Sequence, residues 1–195
     1  MNKILLISGP SGIGKSYILK KLISSSSQYE AILSTTTREM REGESDGIDY
    51  EFLTRNEYVN SKQKFFMDNY FFNNFYGIKK KVVDDILEKR KIPVGIIYTP
   101  VIHQFLKAYP DALTIFLYPQ NIDLWKENLL KRDGSLDRYQ YALDELSKWE
   151  NDYSRYYNKV YYINSNNDDR TIINEINHYF DIYRDREGSI KEEFH

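Results

Sequence analysis

Gly9-Pro10-Ser11-Gly12-Ile13-Gly14-Lys15-Ser16 fills the spacing G-x-x-x-x-G-K-[ST] at every fixed position, and that spacing suits phosphate. Glycines let successive backbone N–H groups converge on one anion, and a helix that follows points the positive end of its dipole at it. In this frame Gly9, Ser11, Gly12, Ile13 and Gly14 supply the backbone of an ATP cradle. Lys15 reaches the β- and γ-phosphates, and the Ser16 hydroxyl binds Mg²⁺. A chance glycine-rich turn does not account for the lysine–serine pair, nor for its context between the apolar run Ile4–Ile7 and an amphipathic stretch.

A second group lies downstream. Arg38 and Arg41 are three residues apart on a segment without helical or strand periodicity. They can converge on one phosphate through charge-assisted hydrogen bonds. Tyr50 and Tyr76 add hydroxyl donors. As lone residues these would read as solvated charges and hairpin packing.

The order of the two groups carries more than either alone. With the GPSGIGKS loop, the run Ser34–Phe52 resembles the guanylate kinase family, whose pattern S-x-T-T-R-x-x-R-x-G-E-x-x-G-x-D-Y-x-F it follows throughout. The match thins to Phe75-Tyr76-Gly77, so the strong motifs cover about a third of the chain. The resemblance implies transfer of the γ-phosphoryl group of ATP, with Mg²⁺, to the phosphate of a nucleoside monophosphate. It places Arg38, Arg41, Tyr50 and Tyr76 on that phosphate and Ser34 at the base. Lys15, Arg38 and a lid arginine at Arg132 become the catalytic cations.

Six matched positions depart from the family. Its guanine readers are a glutamate in F-x-E and a serine after Tyr-Gly, where this chain has Met67 and Ile78. Its acidic pair in I-L-D-I-D is replaced by Ile96 and Tyr98, and two lid arginines by Asn128 and Tyr141. Arg138, within a turn of Tyr141, is the candidate replacement in the lid. Asp68 lies next to Met67, but in a regular strand a one-residue shift points it to the opposite face. An acceptor head group other than guanine is therefore expected.

These residues need a scaffold, and the apolar pattern describes one. Lys3–Ser8, Pro93–Tyr98, Leu113–Tyr118 and Lys159–Asn164 read as buried strands. Helices are expected from Lys15, and over 79–90, 101–108, 121–131, 137–157 and 168–183. Residues 184–195 are charged and expected to fray. Strand–helix alternation of this kind gives an α/β fold, a parallel sheet with helices on both faces. Residues 31–78, with turns at Glu42-Gly43, Asp46-Gly47 and Asn73-Asn74, form a small mixed-strand acceptor-binding insertion. The polar stretch 128–140 around Gly134 forms a helical lid. Tyr139, Ala142, Leu143, Leu146, Trp149 and Tyr153 recur at helical spacing and read as core.

Composition narrows the function further. At 195 residues the chain fits one domain. A net charge of -2 argues against a nucleic-acid partner. With no cysteine and three unclustered histidines, thiolate and histidine metal sites are excluded. No apolar run approaches the roughly 18–20 residues that span a bilayer, so a cytoplasmic enzyme with a small phosphorylated acceptor and no membrane partner is expected. Nothing sets an oligomeric state. The competing reading is a catalytically weak or inactive module of guanylate-kinase-like form that recognises a phosphorylated ligand or protein. The intact Lys15–Ser16 pair favours the enzyme, and the missing acidic pair favours the module.

Overall fold

The computed structural model describes residues 3–133, 136–149 and 160–192, with side chains except at 132–133 and 184–192. The chain opens on β1 (Leu5–Ser8), α1 (Lys15–Ser25) and β2 (Tyr29–Ala31). A second group follows: β3 (Thr35–Thr36), β4 (Glu51–Phe52), α2 (Arg55–Asn60), β5 (Phe65–Phe71) and β6 (Asn74–Lys79). The chain then returns through α3 (Lys80–Glu88), β7 (Ile92–Ile96), α4 (Ile102–Ala108) and β8 (Leu113–Tyr118). It closes on α5 (Ile122–Asp133), α6 (Leu136–Lys148), β9 (Val160–Asn164) and α7 (Asp169–Glu192).

Five strands form a parallel sheet in the order β2-β7-β1-β8-β9. Period-two alternation explains why β1 is apolar on both sides. Leu5 and Ile7 enter a core shared with α1, α5, α6 and α7, while Ile4 and Leu6 enter another shared with α3 and α4. The sheet ends at the phosphate loop, the place where open α/β sheets bind ligands. β2 is a strand that the apolar pattern does not show. Tyr29-Glu30-Ala31 is too short and polar to register, yet it pairs with Ile92–Val94 at the sheet edge.

The other sheet runs β4-β3-β6-β5, parallel between β3 and β4 and antiparallel elsewhere. Its hairpin turn falls at Phe72-Asn73, one residue before the expected Asn73-Asn74, because those two residues hold the positive φ values of 43° and 61° that a two-residue hairpin needs. A register shift between Phe65 and Met67 precedes the regular stretch of β5. Lys20 of α1 pairs with Asp49 at 2.6 Å, tying the insertion to the phosphate-loop helix.

Two other expectations need correction. α7 continues to Glu192 rather than fraying at 184. No proline interrupts it, and Gly188 alone costs about 1 kcal/mol of helix propensity. The helix expected at 101–108 begins with a 3₁₀ turn over Thr99–Val101. The expected helix end at 150–157 and the hinge at Gly134 lie outside the described residues.

Candidate active site

Three glycines shape the phosphate loop. Gly9, Gly12 and Gly14 have φ of 134°, 80° and 96°, values that side-chain-bearing residues rarely adopt. Gly9 also lies so close to β8 that a Cβ would collide with the Leu117 carbonyl oxygen. Gly14 caps α1 in the left-handed conformation with no side-chain cap, which leaves the first-turn N–H groups facing outward from the helix. Trp125 of α5 donates its indole N–H to the Ser11 carbonyl at 2.9 Å, and Leu129 packs over Gly12. Lys15 Nζ donates to the Gly9 and Pro10 carbonyls at 2.6 and 2.8 Å.

The acceptor segment is organised by Glu44. Its carboxylate takes Arg38 Nη2 at 2.8 Å and the Arg41 N–H at 2.8 Å. Burial alone would raise the Glu44 pKa, but Arg38 and Arg41 outweigh burial and hold it below the usual carboxylate range. The Arg38 guanidinium stacks 5.4 Å from the Tyr50 ring and 5.6 Å from Phe52. Tyr50 and Tyr76 meet edge to face at 6.5 Å. Burial pushes the Tyr50 phenol up, so it remains a donor at neutral pH.

One cavity receives both groups. Ser11, Lys15 and Ser16 line it together with Ser34, Arg38, Arg41, Tyr50 and Tyr76. Met67 and Ile78, 5% and 0% exposed, form part of its floor while packing in the core with Ile4 and Leu6. Ile96, Tyr98 and Val101 continue that floor. Arg138 enters from α6 and lies 5.6 Å from the Phe72 ring. Asp68 is the candidate that the structure does not bring in. It points away from Met67 and pairs with Lys62 at 3.3 Å, as strand alternation requires. The Arg132 side chain lies outside the described residues, although its backbone falls in the last turn of α5.

Three functional candidates escape the sequence reading. Glu145, on the face of α6 read as core, is 5% exposed and lines the cavity. Its carboxylate accepts hydrogen bonds from Thr99 and from the Ser11 N–H, with Lys15 close by. Burial raises its pKa, against the pull of Lys15 and those hydrogen bonds. Thr99 in turn meets Ser8 Oγ at 2.9 Å. A carboxylate interrupting an apolar stripe was the available signal for Glu145. Asn69 and Phe71 share the Met67 face of β5 and line the cavity too, which alternation from Met67 could have shown.

A family model described as guanylate kinase matches residues 1–182. The guanylate kinase from Anaplasma phagocytophilum superposes with a TM-score of 0.71 at 25% identity, over 95% of this chain and 86% of that one. A gluconokinase from Sinorhizobium meliloti 1021 aligns over 99% of this chain and 98% of its own, with a TM-score of 0.53 at 14% identity, a likeness of fold alone. Both are kinases on an α/β frame with a parallel sheet flanked by helices. The extent of the family match, over a fold that delivers the phosphate loop and the acceptor segment to one cavity, shows that this chain belongs to the guanylate kinase family.

Proposed function

We propose that the protein is an ATP-dependent kinase whose acceptor is a nucleoside monophosphate, or a similar phosphate-bearing metabolite, with a head group other than guanine. The observation that supports this most is the shared cavity, which Lys15 and Ser16 line together with Arg38, Arg41, Tyr50 and Tyr76. The loop fits a polyphosphate, since its positive-φ glycines and the uncapped start of α1 present backbone donors. Among the described residues no group of three acidic, histidine or cysteine side chains could hold a cation alone. Mg²⁺ needs only one or two protein ligands beside phosphate and water, and Ser16 fits that part. When bound, the ion neutralises charge on the β- and γ-phosphates.

The protein's part is positioning. Arg38, Arg41, Tyr50 and Tyr76 hold the acceptor's phosphate so that one of its oxygens attacks the γ-phosphorus. The bond to the β–γ bridging oxygen breaks, ADP leaves, and a new phosphoanhydride forms. Arg138 and Lys15 spread the charge of the transferred group, and the α5–α6 segment closes over it as a lid. The guanine donors N1–H and the exocyclic amine would meet Met67, at about 1–3 kcal/mol for each unpaired group, and Ile78 would offer no donor to the guanine oxygen.

A screen of phosphorylated metabolites for ADP release with MgATP tests this. An acceptor should appear, and Lys15→Ala should abolish its turnover without unfolding the chain. Arg41→Met should raise the acceptor KM at least tenfold, the loss of about 1.5–3 kcal/mol of charged hydrogen bonding, with ATP affinity unchanged. Tight binding of a phosphorylated ligand without any turnover would replace this reading by the binding module. A GMP kcat/KM within tenfold of the best acceptor would refute the altered head group.

A further inference from the structure

Asn69 is the polar residue on the β5 face that fronts the cavity, between Met67 and Phe71. Register sets it directly across from Tyr76, and Met67 across from Ile78. It therefore stands at the border between the acceptor's phosphate site and the apolar floor. Among the described residues no protein group hydrogen-bonds its side-chain amide, and the residue is half-buried. The wall beside it is aromatic. Phe71 packs 4.6 Å from Tyr98 and 4.9 Å from Tyr141, and the hydroxyls of Tyr98 and Tyr141 bond to each other.

A carboxamide presents a donor and an acceptor side by side. Its complement is a ring edge with a carbonyl next to an N–H, or an amine next to a ring nitrogen, although an amine keeps a second N–H that also needs a partner. The floor of Met67, Ile78 and Val101 can pair with no further polar group, while Ser34, which also lines the cavity, can offer a hydroxyl to a second carbonyl. A flat ring with one imide edge and an otherwise apolar outline meets these conditions. Guanine, with a carbonyl, an N–H and an amine along one edge, does not.

We propose that Asn69 reads the acceptor's ring and that the acceptor is a pyrimidine nucleoside monophosphate of the uracil or thymine type. This rests on the proposed acceptor site at Arg38 and Arg41. Titration calorimetry without ATP tests it on the full chain, with UMP, dTMP, AMP, GMP and ribose 5-phosphate as a probe without a ring. UMP or dTMP should bind at least tenfold more tightly than GMP and ribose 5-phosphate. Asn69→Leu should reduce that affinity to the ribose 5-phosphate level and leave ribose 5-phosphate itself unchanged. Asn69→Asp, which exchanges the donor for a second acceptor, should turn preference toward GMP, and melting curves check that both variants fold. Arg41→Met should weaken all ligands alike. Tightest binding of a purine, or pyrimidine affinity unmoved within twofold in Asn69→Leu, overturns the ring assignment while the acceptor site stands. If none of the five compounds binds, the acceptor site falls and the ring assignment falls with it.

Discussion

Glu145 shows how one side chain can be misread and what it then does. Period 3.6 identifies the face of α6 that is covered, but not whether a packed core or a polar cavity covers it. Ala142 and Trp149 meet apolar neighbours on that face, whereas Glu145 meets Thr99, the Ser11 N–H and Lys15. Burial, the largest influence, raises its pKa in the folded chain. The folded state thus holds the Glu145 proton more tightly than the unfolded chain does, and stability from this group falls as pH rises through the folded pKa. Once ionised, the buried carboxylate is a net cost relative to its protonated form. Glu145→Gln should therefore raise the melting temperature at pH 7, and the gain should shrink in acid, where Glu145 is itself protonated. A gain independent of pH, or a loss at neutral pH, would contradict this assignment. The phosphate-loop residues, by contrast, were legible because a chemical motif fixes type, order and spacing together.

Among the elements, the long apolar strands and the helices between them could be read from sequence, and short polar pieces could not. β2 has no apolar run, and the β5–β6 turn depends on a phenylalanine taking a positive φ. The phosphate loop adds a distinction that its motif conceals. Gly9 and Gly14 both have positive φ, but a Cβ on Gly9 strikes the backbone of β8 while one on Gly14 meets no atom within 4 Å. Gly14→Ala should lose only the left-handed backbone cost of about 1–2 kcal/mol. Gly9→Ala should lose clearly more, since a paired strand carbonyl cannot move aside as a side-chain tip can. Urea unfolding of the two variants measures the difference, and equal losses would mean that the loop shifts freely against the sheet.

At the scale of the whole molecule, composition sums charge and cannot say where it lies. The chain carries -2 overall. Yet Lys15, Arg38, Arg41 and Arg138 line a single cavity with Glu44 and Glu145, so with both carboxylates ionised its lining carries +2. A cationic cleft in a slightly acidic body draws anions toward it before any contact is made. Encounter, and not only grip, should then depend on the surrounding electrolyte. The association rate of a phosphorylated ligand should fall by roughly tenfold when ionic strength rises from about 0.01 M to about 0.15 M, as the screening length shortens from about 30 Å to about 8 Å. The dissociation rate should change far less, and an unphosphorylated nucleoside should associate at the same rate in both. Stopped-flow measurements would separate the two rates, and a flat association rate would mean that the two carboxylates cancel the cleft's attraction. Glu145 would then govern how fast the cleft captures its ligands as well as how it holds its own loop.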